Sequence, residues 1–178
     1  MAPHGPSAPS PWVARFAALA PAGGRVLDLA SGGGRHARLF LEHGHPVTAV
    51  DIDVSALADL EGRDGVELVQ ADLENGPWPL AGRGFAGVVV TNYLWRPLLP
   101  KIVRSVAPGG ALIYETFARG NERFGKPSNP DFLLNDGELL EAVRGKLAVV
   151  AYECLEVTEP RPARVQRIAA VNGRPMER

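Results

Sequence analysis

Short, wholly apolar runs alternate along the chain with segments of helical spacing. Ser10-Pro11 reads as an N-cap followed by proline at the first helical position, and Trp12, Val13, Phe16, Ala17 and Ala20 then recur at three- and four-residue intervals. This predicts a short amphipathic helix, broken by Pro21-Ala22-Gly23-Gly24. Residues 25–30 predict a buried strand that runs into Gly32, Gly33 and Gly34, with a helix behind them through Leu41. Residues 46–51 predict a second strand, after which Asp53 can cap a helix over 54–60, and 66–70 predict a third strand ending at Ala71-Asp72. The segment 74–84 holds two prolines and three glycines and reads as loop, whereas 85–91 reads as a fourth, fully buried strand. A helical pattern covers 93–106, Pro108-Gly109-Gly110 turns the chain, and 111–115 predict a fifth strand. Residues 118–135 are polar, rich in turn formers and long for a connection without a task, which makes them a candidate substrate lid. A last helix over 136–144 precedes two strand-like stretches, 147–157 and 164–171, whose spacing suits an antiparallel pair.

Strands alternating with helices through five units imply an α/β, doubly wound, Rossmann-like parallel sheet with right-handed crossovers, to which the closing pair adds two strands. A length of 178 residues fits a single domain over 11–178 behind a flexible N-terminal tail over 1–10, without room for a separate substrate module. With 46% hydrophobic and 22% charged residues, the composition excludes wholesale disorder, and the single cysteine, Cys154, excludes a disulfide framework. No apolar run approaches the ~18 residues of a membrane span, and the Pro-rich start lacks the basic region of a signal peptide, so a cytoplasmic protein is expected. Net charge −1 argues against broad binding to a nucleic-acid backbone. Arg161, Arg164, Arg167, Arg174 and Arg178 oppose only Glu159 and Glu177 near the C-terminus and read as a solvated charged face.

Open α/β sheets bind ligands at the carboxyl ends of their strands, and four such ends carry suggestive residues. Gly32-Gly33-Gly34 lets backbone approach a ligand where a Cβ would clash, ahead of a helix whose first N–H groups are unpaired. Asp51 ends the second strand, where a carboxylate accepts from both ribose hydroxyls, and Asp72 ends the third, where it either accepts from an adenine amino group or caps the next turn. Thr91-Asn92-Tyr93 ends the fourth. Gly32, Gly34 and Ala37 also satisfy the dinucleotide fingerprint with Asp51 downstream, so an NAD(P)-dependent oxidoreductase is an alternative. Two features count against it: Asp28 stands inside the first strand, where dinucleotide strands are apolar, and the chain is short for the catalytic portion such enzymes add.

Val26 to Gly34, Val47 to Asp51, Gln70-Ala71-Asp72-Leu73 and Val106-Ala107-Pro108-Gly109-Gly110 together resemble the class I, seven-stranded S-adenosylmethionine-dependent methyltransferases. Ala30 departs from the pattern, standing where the family usually has its first glycine. The resemblance implies strand order 3-2-1-4-5-7-6 with strand seven antiparallel and S-adenosyl-L-methionine as cofactor. It assigns the methionine part to the backbone of Ala30, Ser31, Gly32, Gly33 and Gly34, with Asp28 fixing that loop or reaching the ammonium group. Asp51 and Ile52 would hold the ribose side, Asp72 and Leu73 the adenine, and Thr91 would complete the cofactor set. A looser likeness is to the small bacterial methyltransferases grouped with the tellurite-resistance enzyme, which act on small acceptors.

Methyl transfer from a sulfonium requires mainly proximity and orientation, so no catalytic residue is dictated. The candidates are Glu115, Tyr93, Asn92 and Arg96, with Trp95, Thr116, Asn121, Arg123 and Phe124 as further contributors; an ion pair with a neighbouring arginine is the plain alternative for Glu115. Arg35 and His36 stand where they could approach the cofactor carboxylate, and His43 and His45 read as surface residues rather than metal ligands. No metal is expected. The expectation is a methyltransferase for a small-molecule acceptor, monomeric or homodimeric, with a non-catalytic cofactor-binding partner subunit as a third reading.

Overall fold

The computed structural model describes residues 7–173, so the first six residues of the expected tail, together with Arg174, Glu177 and Arg178, lie outside the described residues. Seven strands form one sheet in the order β3-β2-β1-β4-β5-β7-β6. They are β1 (Val26–Leu29), β2 (Val47–Asp51), β3 (Val66–Gln70), β4 (Phe85–Thr91), β5 (Val106–Phe117), β6 (Ala148–Val157) and β7 (Ala163–Val171). The first five are mutually parallel, and β7 runs antiparallel between β5 and β6. This is the order implied by the motifs, with chain reversal supplied by the hairpin at Glu159-Pro160.

Alternation along the central strands divides the core into two layers. Leu27, Leu29, Val88, Val90, Leu112 and Tyr114 join the cluster completed by α3 (Leu99–Arg104) and α4 (Glu138–Val143). The residues between them, Val26, Val89 and Ile113, join the opposite cluster with α1 (Pro11–Phe16) and α2 (Arg35–Glu42). Helix α1 starts where expected: the Ser10 hydroxyl accepts from the N–H groups of Trp12 and Val13, and Pro11 occupies the first turn, which needs no further donor. Trp12 is buried and its indole N–H donates to the Ile168 carbonyl at 3.2 Å, tying α1 to β7. Burial of such a side chain contributes roughly 2–3 kcal/mol.

Three expectations change. The helix expected over 54–60 is a 3-10 segment, Ser55–Leu60, entered by an Asp53 carboxylate that accepts from the Ser55 N–H. The long helix expected over 93–106 is reduced to a 3-10 turn, Arg96–Leu98, and the six-residue α3, because Pro97 and Pro100 occupy the starts of two separate helical segments. Pro108-Gly109-Gly110 does not precede the fifth strand but lies inside it: pairing shifts from Phe85↔Val106 to Gly87↔Ala111, a bulge that absorbs the extra residues. Gly110 is required there, since a Cβ would lie 2.7 Å from the Phe85 carbonyl oxygen.

Candidate functional site

At the carboxyl end of β1 the chain turns sharply over Ala30–Gly34. Ala30, Gly32 and Gly34 all have left-handed backbone, with φ of 54°, 51° and 75°. A Cβ on Gly34 would come within 2.2 Å of Leu57, whereas the space above Gly33 is open, so the loop is packed below and accessible above. Asp51 closes it from β2, its carboxylate accepting from the Gly32 N–H at 2.8 Å and from the Asp53 N–H at 3.2 Å. Asp28 lies beneath, 2% exposed, accepting from the Ala37 N–H at 2.9 Å in the first turn of α2. Burial pushes its carboxyl up to about 7, against the lowering effects of that hydrogen bond and of Arg35. The Ser31 hydroxyl is buried with no partner among the described residues.

Beside this loop a cavity of about 280 Å³ is lined by Ala30, Asp51, Ile52, Asp72, Leu73 and Tyr93. Ile52 is a large apolar side chain left 64% exposed at its mouth. Asp72 borders the cavity, yet its oxygens cap the following turn: Oδ1 accepts from the Glu74 and Asn75 N–H groups, each at 3.0 Å, and Oδ2 from the Asn75 amide. Those bonds, the Asn75 N–H foremost, hold the carboxyl below its usual range. The Tyr93 hydroxyl is buried and unpartnered among the described residues. Burial first, and then the charges of Glu74, Asp72 and Asp51, push it up to about 12, so it is a donor and not a base. Tyr93, a catalytic candidate from sequence, therefore stands in the smaller cavity with Asp51.

A second cavity, of about 480 Å³, opens at the ends of β4, β5 and β7. Residues 7–11 form a strap along one wall with Arg35 and Asn92, and Glu115 and Phe117 with the β6–β7 turn form the other. The strap is pinned at Ser10, whose hydroxyl donates to Glu115 at 2.8 Å and whose N–H donates to His36 Nε2 at 3.0 Å, while Arg35 donates to the Ala8 carbonyl. Glu115 pairs across the sheet with Arg167, and Arg167 in turn with Glu153, so three neighbouring strands set a Glu-Arg-Glu row in register. The Arg167 guanidinium lies 3.3 Å from each carboxylate and 5.3 Å from the Trp12 ring. Glu115 and Arg167 are 16% and 15% exposed, so the ion-pair alternative for Glu115 is present in a residue that also lines the cavity. Asn92 has left-handed backbone, φ 53°, its N–H donating to the Glu115 carbonyl.

Several sequence-based expectations are corrected. His36 is buried and accepts from the Ser10 N–H; burial and Arg35 lower it to about 4, so it is a neutral support for the strap. Arg96 lines neither cavity: its guanidinium grips Glu138 at 2.7 Å and the Asp131 and Leu133 carbonyls, clamping α4 to the preceding loop. Residues 118–135 are anchored rather than poised over the large cavity. Ala118 bridges Leu134, the buried Asn121 side chain donates to the Pro127 carbonyl and accepts from the Arg164 N–H, and Arg123 pairs with Glu156 over Phe124. Trp95 and Thr116 pack inside. His45 is not on the surface but buried, its Nδ1 2.8 Å from the Gly24 carbonyl. The described arginines of the supposed solvated face divide, Arg167 being half of the Glu115 pair and Arg161 lining the cavity. Sequence reasoning missed Ser10, Arg161 and Arg167 at this cavity; strand register brings Arg167 there, the β6–β7 turn Arg161 and the N-terminal strap Ser10.

Residues 26–110, from β1 into β5, match the model of the methyltransferase domain family. No curated protein matches the chain. Among solved structures, the 1,6-didemethyltoxoflavin-N1-methyltransferase of Burkholderia thailandensis aligns with TM-score 0.68 at 22% identity, over 91% of this chain and 76% of that one. TehB of Haemophilus influenzae aligns with TM-score 0.68 at 18% identity over 90% of this chain, which spans only 61% of TehB. An S-adenosylmethionine-dependent methyltransferase of Mesorhizobium loti aligns with TM-score 0.66 at 19% identity, over 89% and 96%. These likenesses share the seven-stranded fold, and the first neighbour holds S-adenosylhomocysteine together with its acceptor. With the family match over the motif-bearing strands and the sheet order 3-2-1-4-5-7-6, residues 26–110 are similar to the methyltransferase domain family and the chain has the seven-stranded, class I methyltransferase fold.

Proposed function

We propose that the protein transfers the methyl group of S-adenosylmethionine to a small acceptor seated in the 480 Å³ cavity. The observation that carries this is at the end of β4: consecutive residues Asn92 and Tyr93 line different cavities, the larger and the smaller. Donor and acceptor held in the two would meet at that strand end. The smaller cavity fits the adenosine part. Asp51 has acceptor capacity left beyond its two N–H contacts for ribose hydroxyls, Ile52 and Leu73 offer apolar faces to the base, and the orphaned Tyr93 and Ser31 hydroxyls lack partners that a ligand would provide. The open space above Gly33 and the loop Ala30–Gly34 suit the methionine part, with Asp28 beneath and Thr91 beside it.

Bound S-adenosylmethionine supplies an electrophilic methyl on a positive sulfur. The chain's own residues then position the acceptor in line, exclude water with the strap, and hold the proton-bearing acceptor atom against the Glu115 carboxylate. Glu115 is oriented by Ser10 and Arg167, and Arg167 is shared with Glu153, so the row carries one net negative charge that favours an N–H or O–H donor on the acceptor. Among the described residues no helix is long and apolar enough to cross a membrane. We read the enzyme as cytoplasmic, monomeric or homodimeric, and not directed at nucleic acid, readings supported by its average charge and single cysteine.

Calorimetry and thermal shift with S-adenosylmethionine, S-adenosylhomocysteine and NAD test the donor side, and a labelled-methyl screen over small amines, phenols and acids tests the acceptor side. The expected result is binding of the first two compounds, none of NAD, and turnover of at least one small acceptor. Binding of NAD alone would restore the oxidoreductase alternative. Cofactor binding with transfer confined to proteins or RNA would overturn the small-acceptor reading.

A further inference from the structure

Three arginines line the large cavity, and they are not equivalent. Arg167 is fixed between two carboxylates, and Arg35 donates to the Ala8 carbonyl beside the glycine loop. Arg161 meets no carboxylate among the described residues: its guanidinium donates to the Lys126 carbonyl at 3.2 Å and lies 5.6 Å from the centre of the Phe117 ring, while Glu159 on the same rim makes no ion pair with it. Arg161 also lines the open groove next to the cavity, with Lys126, Ser128 and Phe132, so it marks the junction of the two. Glu115 and Phe117 alternate along β5 and project to one face with Cα atoms about 7 Å apart. The cavity thus has a negative floor at Glu115, an apolar wall of Phe117, Val157 and Val165, and a cation at its rim.

We propose that the acceptor is an anion, and that Arg161 is a specificity-determining residue that binds its carboxylate or phosphate while Glu115, lining the same cavity, faces the N–H or O–H to be methylated. This rests on the acceptor reading of the large cavity. A planar guanidinium with free N–H groups binds such oxyanions in bidentate fashion, and its position over the Phe117 ring and its bond to the Lys126 carbonyl hold it at the rim. The negative row at Glu115 repels a second anionic group, which orients the acceptor with its anion outward.

The test uses the full chain saturated with S-adenosylhomocysteine and three probes: benzoate, phenyl phosphate and neutral benzamide. Their binding is followed by NMR titration of the arginine side-chain N–H signals. Benzoate or phenyl phosphate should bind at least fivefold more tightly than benzamide and shift the Arg161 signal, and the preferred anion distinguishes carboxylate from phosphate. Arg161→Gln should abolish the preference with S-adenosylhomocysteine affinity changed less than twofold. Equal binding of benzamide and both anions overturns the proposal, as does a preference that survives Arg161→Gln and disappears in Arg35→Gln. Failure of S-adenosylhomocysteine to bind would instead count against the cofactor reading, and the same titration on the protein alone would still judge Arg161.

Discussion

The two cavities differ in how the chain builds them. The smaller is made from the ends of β1, β2 and β3 and the turns that follow them at once, with Tyr93 after β4 as the one contribution from further along the chain. The larger is assembled from the N-terminal strap, β4, β5 and the hairpin of β6 and β7, joined by contacts such as Ser10 to Glu115 that span 105 positions. A locally built site can be reused with many partners of the fold, whereas a site built across the sheet belongs to one chain.

Four experiments probe the contrast, in descending order of expected effect. Asp51→Ala removes the proposed ribose acceptor and the bond to the Gly32 N–H together. It should weaken S-adenosylmethionine binding about a hundredfold or more, roughly 3 kcal/mol, in calorimetry, with the circular dichroism spectrum retained. Unchanged affinity would remove Asp51 from the cofactor half. Arg167→Met leaves Glu115 and Glu153 facing each other without their shared cation. It should destabilise the fold by about 2–3 kcal/mol in urea unfolding and abolish acceptor turnover, while cofactor affinity stays within a few-fold. An equal loss of both ligands would show that the two halves are not separable.

The strap responds to pH through His36. Its folded value of about 4 lies below the ordinary 6.5, so the unfolded chain binds the extra proton between those values. Stability from keeping this imidazole neutral is complete above pH 6.5 and is lost as pH falls towards 4, a span worth roughly 3 kcal/mol. Asp28 acts with the opposite sign: its raised value of about 7 gives stability that is complete below the ordinary 3.8 and lost as pH rises through 7. Comparing wild type with His36→Gln cancels the Asp28 contribution. Between pH 7 and 4.5 the variant should lose about 2–3 kcal/mol less than wild type, and parallel pH profiles would refute the strap assignment. The smallest effect belongs to Ala30, which holds a left-handed φ of 54° where a glycine would be unstrained. Ala30→Gly should raise stability by about 0.5–1 kcal/mol, relief of strain exceeding the added freedom of the unfolded chain, and a decrease in Tm would contradict that.

Legibility follows the same line as construction. The glycine loop, Asp28, Asp51 and Ile52 lie together at strand ends as the motifs imply, because parallel strands deliver their carboxyl ends to one edge. Tyr93 was visible as a residue but not by cavity, since a strand end turns consecutive side chains to opposite sides and Asn92 takes a left-handed backbone between them. Arg96 has the composition of a site residue and the contacts of a clamp, and no local pattern separates the two. The long polar loop looked like a lid because length and polarity do not reveal anchors such as Asn121.

By itself the sequence determined the alternation of strands and helices, the residues at four strand ends and the family they resemble, because hydrophobic periodicity and turn chemistry act over a few residues. Only the tertiary structure decided that Ser10, Arg161 and Arg167 join Glu115, that His36 supports a strap, and that the larger of the two cavities lies against the hairpin rather than under residues 118–135. The Glu115–Arg167–Glu153 row depends on the register of β5, β6 and β7, since a shift of one residue in either pairing would turn its members to opposite faces of the sheet, and Ser10, His36 and Arg161 reach it from the strap, α2 and the β6–β7 turn, far from Glu115 in sequence.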